Sequence, residues 1–456
     1  MLHCAKLILL GVVFNCLLPS AFGQWKGGVA TANITPKLPM PMAGYASRGA
    51  KHATGTLTDL WAKTLVIQSP SGNQAVLITL DIVGIERGLS QQICQQVQRE
   101  FKLSRDQVAI ATSHTHTGPV VAKTLRPMHY MMLGADDRQR VDDYAQYLTG
   151  QVLRSVAAAF ADIGEAEFAW GSGKATFAVN RRENREADVV ELREKNSLQG
   201  PSDHDVPVLR MRRLAKRDAI VFGYACHSTT LSKMEWSGDY PGFAQIALEE
   251  RYPDSIAMFW AGCGGDQNPV PRRTVELAKK YGGELAEAVA AVIEQPMMDV
   301  DGDLSTQYIE QDLPLADLPT EAELRDQAAS PNKYVKSRAD SLLKQIADGI
   351  ELSPTYPYPI QFWKLGSEVQ WVFLGGEVVV DYAIRLKSEL NRDGGDFSRT
   401  WVAAYSNDVM AYIPSRRVLL EGGYEGGGAM IYYGLPTVWA PEVEQVIVQA
   451  TCKLSD

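Results

Sequence analysis

Histidine is scarce in this chain, with seven in 456 residues, and cysteine is scarcer, with six. No two cysteines stand in a C-x-x-C pair, which argues against a zinc-finger framework. There is no excess of positive charge. The net charge is −9 and the sequence pI about 5.4, which argues against the clustered basic surface that nucleic acid requires. Past the N-terminus no apolar run is long enough to cross a bilayer. Internal repeats, low-complexity tracts and obvious linkers are absent too.

What is present reads as an ordinary globular chain, 45% hydrophobic and 22% charged. The N-terminus has the pattern of a secretory signal peptide over residues 1–23. Lys6 precedes the apolar stretch Leu7–Leu18, and Ala21 and Gly23 supply the small residues of a cleavage site before Gln24. Secretion or a periplasmic location is therefore expected. Cys4 and Cys16 leave with this segment, and Cys94, Cys226, Cys263 and Cys452 stay. Cys226 and Cys263 read as packed thiols or as a disulfide pair. A Cys/His metal site is a further possibility, because Cys226 adjoins His227.

Strand-like and helical patterns alternate. Ala75–Ile82, Gln107–Thr112, Ala219–Cys226, Ile256–Ala261, Val369–Leu374 and Thr400–Tyr405 read as strands. Ser90–Phe101, Val141–Ile163 and Thr274–Ile293 read as helices. This predicts an α/β or α+β fold with one mixed sheet flanked by helices. A single catalytic domain is expected over residues 24–456, with a more polar helical insertion at about 316–359.

The chemistry gathers where the strands end. Gln107–Thr112 runs into His114 and His116, and Ala219–Cys226 into His227. Ile256–Ala261 runs through glycines into Asp266, Val369–Leu374 into Glu377, and Thr400–Tyr405 toward Tyr412. Open sheets collect ligands at the carboxyl ends of their strands, so one convergent site is predicted. Imidazoles with a carboxylate suit zinc, which keeps a position for water. In an extended H-x-H both side chains share a face, one free for metal and one for substrate. Each residue alone has a plainer reading. His227 can be a satisfied buried histidine, Glu377 a helix-start carboxylate, Asp266 a cap, and Tyr412 core.

At these residues the sequence resembles the neutral/alkaline, non-lysosomal ceramidase family, from Gly28–Arg48 to Gly422–Pro436. The resemblance implies one zinc per chain on His114 of SHTHTGP, His227 of YACHSTTL, Glu377 of GGE and Tyr412 of MAYIPSRR. It implies that His116 faces the scissile amide, that Tyr424 of GYEGG is a second active-site tyrosine, and that Arg181 of NRRE lies in the site. SGDYPG, Ser237–Gly242, reads as a structural family segment. Hydrolysis of the amide of ceramide or a related N-acyl compound by a zinc-activated water is the expected reaction. His116 would protonate the leaving amine, while Tyr424 and Arg181 stabilise the oxyanion. Asp266 would orient a ligand.

Two departures stand out. Asn268 occupies the place of the family's serine, and an amide cannot be a nucleophile. The sequence also stops before the immunoglobulin-like C-terminal domain of full-length ceramidases. They leave two alternatives: a metallohydrolase for a polar glycan or cell-wall amide or ester, and a catalytically silent binding protein. The expected partner is a small-molecule or lipid amide, with at most transient contact at a membrane surface.

Overall fold

The computed structural model describes residues 24–455 apart from 392, 393 and 395. The segment expected as a signal peptide lies outside these residues. The fold is mixed α/β. The one mixed sheet expected from sequence is resolved into three larger sheets and three two-stranded ribbons.

Each larger sheet is mostly antiparallel and ends in one parallel pair. In the first, Gln74–Leu80 pairs in parallel with Val108–Thr112. In the second, Asp218–Tyr224 runs beside Ser255–Ala261. In the third, Val369–Leu374 runs beside Thr400–Ala403. These strands are buried along nearly their whole length, as their unbroken apolar sequences require. The parallel edges meet. Isolated bridges join Ala111 to Ser406 and Gly262 to Ala403. The Asn407 amide donates to Ile110 O at 2.8 Å, and its side-chain oxygen accepts from Ile110 N. Trp260, Trp363, Trp371 and Trp401 fill the shared interior, each at most 2% exposed. Five strand ends are thereby brought to one place.

Helices cover the outer faces. Arg87–Phe101 starts three residues before its apolar pattern, because the Glu86 carboxylate caps the amides of Gly88 and Leu89. Thr274 caps Val275–Ile293 in the same way. The second long helix, Ala135–Ala161, also begins earlier than its apolar stripe. The region expected as a helical insertion holds two helices, Glu321–Ala328 and Lys333–Ala347. Residues 355–359 belong instead to the strand Thr355–Leu365, which pairs along its length with Leu304–Pro314. Cys94, Cys226 and Cys263 are buried free thiols, so Cys226 and Cys263 are packed thiols and not a disulfide. No helix among the described residues is long and apolar enough to cross a membrane.

One buried acid near the meeting point has a consequence for stability. Asp408 accepts from the Tyr356 hydroxyl at 2.7 Å, and burial pushes its pKa up from 3.8 to about 7. Between about pH 4 and 7 the folded chain keeps a proton that the unfolded chain releases. This acid's contribution to stability therefore declines as pH rises through that window. Asp408→Asn should flatten the decline, measured as the difference in Tm between the two ends of the window. An equal decline in both proteins would contradict the assignment.

Candidate metal centre

The segment after Val108–Thr112 leaves the strand, and His114 takes a left-handed conformation with φ 56°. The extended H-x-H expected from sequence is therefore not what aligns the rings. The backbone turn at His114 does so, bringing its Nε2 to 3.1 Å from Nε2 of His116. Tyr405 and Asn407 also have positive φ, 52° and 61°, in the segment packed against it. Such clustered strain in non-glycine residues is typical of functional sites.

His114, His116 and His227 offer ring nitrogens that all lie within 4.8 Å of one another. Glu377 enters the same space. Its Oε2 is 3.2 Å from His114 Nε2 and 2.9 Å from His227 Nε2. Gly265 lets the strand-end loop come this close, since a Cβ there would fall 2.7 Å from the Glu377 carbonyl.

The outer partners of the rings decide their tautomers. His114 Nδ1 faces the Val83 carbonyl, and His227 Nδ1 faces the Gly264 carbonyl. Each Nδ1 must donate, so each Nε2 presents a lone pair. Burial and Arg181 push the His227 pKa down to about 4, which keeps its ring neutral. Glu377 is ionised. Burial alone would raise its pKa, but the two imidazoles hold it well below its ordinary value. With both Nδ1 protons committed to carbonyls, the positive charge that holds Glu377 ionised is a proton on an Nε2 or a cation in its place. Glu377 Oε2 is buried without a hydrogen-bond partner. This donor set fits a cation, and two imidazoles with one carboxylate fit zinc.

His116 differs. Its Nδ1 is buried with no acceptor and rests against Gly44, where a Cβ would come within 2.7 Å of that nitrogen. Gly44 has φ +92°, so glycine is needed there twice over. Burial, with His114 and His227 nearby, holds the His116 pKa well below its ordinary value. Arg48 fixes the loop by donating to the carbonyls of His116, Ala43 and Lys233.

Tyr412 pairs in register with Glu377 in a short parallel ribbon. Its hydroxyl lies 3.3 Å from His227 Nε2 and accepts from Arg181 Nη2 at 3.1 Å. Arg181 also donates to Glu425 at 2.8 Å and to Asn268 Oδ1 at 3.3 Å. Burial works against its charge, but Tyr412 and Glu425 more than offset this and raise its pKa well above the ordinary value. Asn268 accepts from Thr229 as well, at 3.4 Å. Tyr424 packs edge-on against Tyr412 with ring centroids 5.3 Å apart, and is 47% exposed.

Asp266 does not orient a histidine. Its two oxygens accept from Val380 N at 2.8 Å and Asn180 Nδ2 at 3.0 Å, tying down the loop that carries Glu377. Burial pushes its pKa up to about 6. Two tyrosines that sequence reasoning misses belong to the site. Tyr405 stacks on His114 at 4.3 Å, and the Tyr433 hydroxyl donates to Glu377 Oε1. Tyr405 closes a strand-like run, so its position is a usable signal; Tyr433 carries none. His52 and His204 lie apart, on Asp137 and the Ala178 carbonyl. His129 Nε2 accepts from the amide of Gly44, in the loop behind His116.

The fold has known counterparts. The crystal structure of neutral ceramidase from Pseudomonas aeruginosa superposes with a TM-score of 0.72 at 18% identity, covering 95% of this chain and 74% of that one. A ceramidase complexed with C2 gives a TM-score of 0.71 at 16% identity, covering 95% and 75%. Residues 25–271, more than half of the chain, match the family described as neutral/alkaline non-lysosomal ceramidase, N-terminal. The matched segment holds His114, His116, Arg181, His227, Asp266 and Asn268. The chain belongs to the neutral/alkaline non-lysosomal ceramidase family.

Proposed function

We propose that this chain is an exported, zinc-dependent amidohydrolase that cleaves the amide of ceramide or a related N-acyl compound. The observation that carries the reading is the facing of His114 Nε2, His227 Nε2 and Glu377 Oε2, with both Nδ1 atoms committed to backbone carbonyls. His114, His227 and Glu377 hold the metal, and Tyr412 completes the set. When bound, zinc lowers the pKa of a water toward neutrality and polarises the scissile carbonyl.

The chain's residues do the rest. His116 is neutral, so it must take up a proton before it can give one. Its Nε2 accepts the proton of the attacking water and returns it to the leaving amine. Burial without an acceptor at Nδ1 separates His116 from the two ligand histidines. Arg181 holds positive charge beside the Tyr412 hydroxyl, and with Tyr424 it stabilises the oxyanion. Asn268 keeps its Oδ1 on Arg181 and Thr229, which leaves Nδ2 to donate toward substrate. No side-chain nucleophile is required. Lys6, the apolar stretch behind it and the small residues before Gln24 support export.

Chelation followed by zinc restoration tests this reading. Hydrolysis of a fluorogenic N-acyl amide should disappear in the chelated enzyme and return with zinc. Full activity after chelation, or none after restoration, would contradict it.

A further inference from the structure

One side of the site opens on a groove of about 740 Å³. Arg181, Asn268 and Tyr424 belong both to the site and to the groove wall, so the two are continuous. The nature of that wall limits what can lie in it. Of its fifteen lining residues, eight are charged, four of each sign. Its only aliphatic members, Val179 and Val270, are each 2% exposed, so its apolar surface comes from the Tyr424 ring, 47% exposed, and from the carbon stems of the charged side chains.

The charges are organised. Arg182 donates to Glu425 at 2.8 Å, to Glu421 at 3.0 Å and to the Gly422 carbonyl at 3.1 Å. Arg272 holds Glu186 through two nitrogens, at 2.8 and 3.1 Å. Arg185 projects with its side chain 89% exposed, near only Asp188 at 3.8 Å. An alkyl chain laid along this wall would strip water from ion pairs and return no hydrogen bonds. A polar molecule would exchange water for matched donors and acceptors.

Resting on the amidohydrolase reading above, we propose that, among the N-acyl compounds it allows, the substrate is a small N-acylated hydrophilic amine whose polar head occupies this groove. The scissile C–N bond breaks as in any amide hydrolysis: water adds its oxygen to the acyl carbon and its two hydrogens end on the released acid and amine. The groove holds the amine side.

The test uses the zinc-loaded full chain and two probe series, one amino sugar and one amino acid, each N-acetylated, N-hexanoylated and N-dodecanoylated. Binding is read by calorimetry and turnover by release of the amine. The acetyl member of at least one series should bind, with no gain in affinity along its series. Which series binds tells whether a hydroxyl-rich or a carboxylate head is read. In an apolar acyl channel each buried methylene would instead strengthen binding roughly fourfold. Such a gain, or the failure of both acetyl probes to bind, overturns the proposal. Binding without turnover leaves the groove assignment standing and defeats the hydrolase reading. Turnover that climbs with acyl length does the reverse. Arg185→Ala, outside the catalytic machinery, should weaken the binding series by about tenfold, the scale of one charge-assisted hydrogen bond.

Discussion

Glu377→Gln strips the metal and lowers kcat/KM by more than the roughly 10²–10³-fold typical of losing one preorganised donor. The expectation rests on the partners of Glu377. Its Oε2 is the only negative partner within hydrogen-bond range of the two ligand Nε2 atoms among the described residues. Glutamine is nearly isosteric and keeps an oxygen for the Tyr433 hydroxyl. It also replaces a lone pair aimed at the cation with an amide. The loss should therefore be chemical and not structural. Far-ultraviolet circular dichroism and Tm should stay near wild type while zinc content and turnover collapse. A variant that kept zinc and most of its turnover would remove Glu377 from the centre.

Asp266→Ala is the second large effect, and it acts through stability. The carboxylate is fully buried and satisfies one backbone and one side-chain donor. Each buried donor left unmade costs about 1–3 kcal/mol, so the variant should lose about 2–6 kcal/mol in all. Because the Val380 amide anchors the loop bearing Glu377, zinc affinity should fall with it, by about 10–100-fold as for other groups that position a ligand. Denaturant unfolding and zinc titration read the two losses separately. Asp266→Asn retains one acceptor and should fall between the two proteins. A variant with wild-type stability would contradict the anchoring role.

Much of this site is legible in the sequence because of one physical habit of α/β chains. Buried parallel strands are continuous apolar runs, and polar residues succeed them at the sheet edge. The runs ending before His114, His227, Asp266 and Glu377 can therefore be picked out by eye. The division into three sheets cannot, since an apolar run does not state its neighbour. The left-handed turn at His114 is hidden for a similar reason: histidine carries no local signature for positive φ as glycine does. Tyr433 sits among apolar neighbours and looks like core, although it bonds the carboxylate, whereas Tyr405, which stacks on a ligand histidine, at least marks the end of a strand-like run. The true partners of Asp266 come from residues more than eighty positions away, beyond the reach of spacing. The end of the helical insertion is hidden because YPYPI reads as a loop by its prolines. Pairing with Leu304–Pro314 makes it a strand.

The measurement that tests the metal centre most directly is zinc content by mass spectrometry, in wild type and in His114→Ala. About one zinc per chain in wild type, and none in the variant, is the predicted result. No zinc in either protein after reconstitution, or equal zinc in both, would contradict the claim that the histidines after Val108–Thr112 build a metal centre.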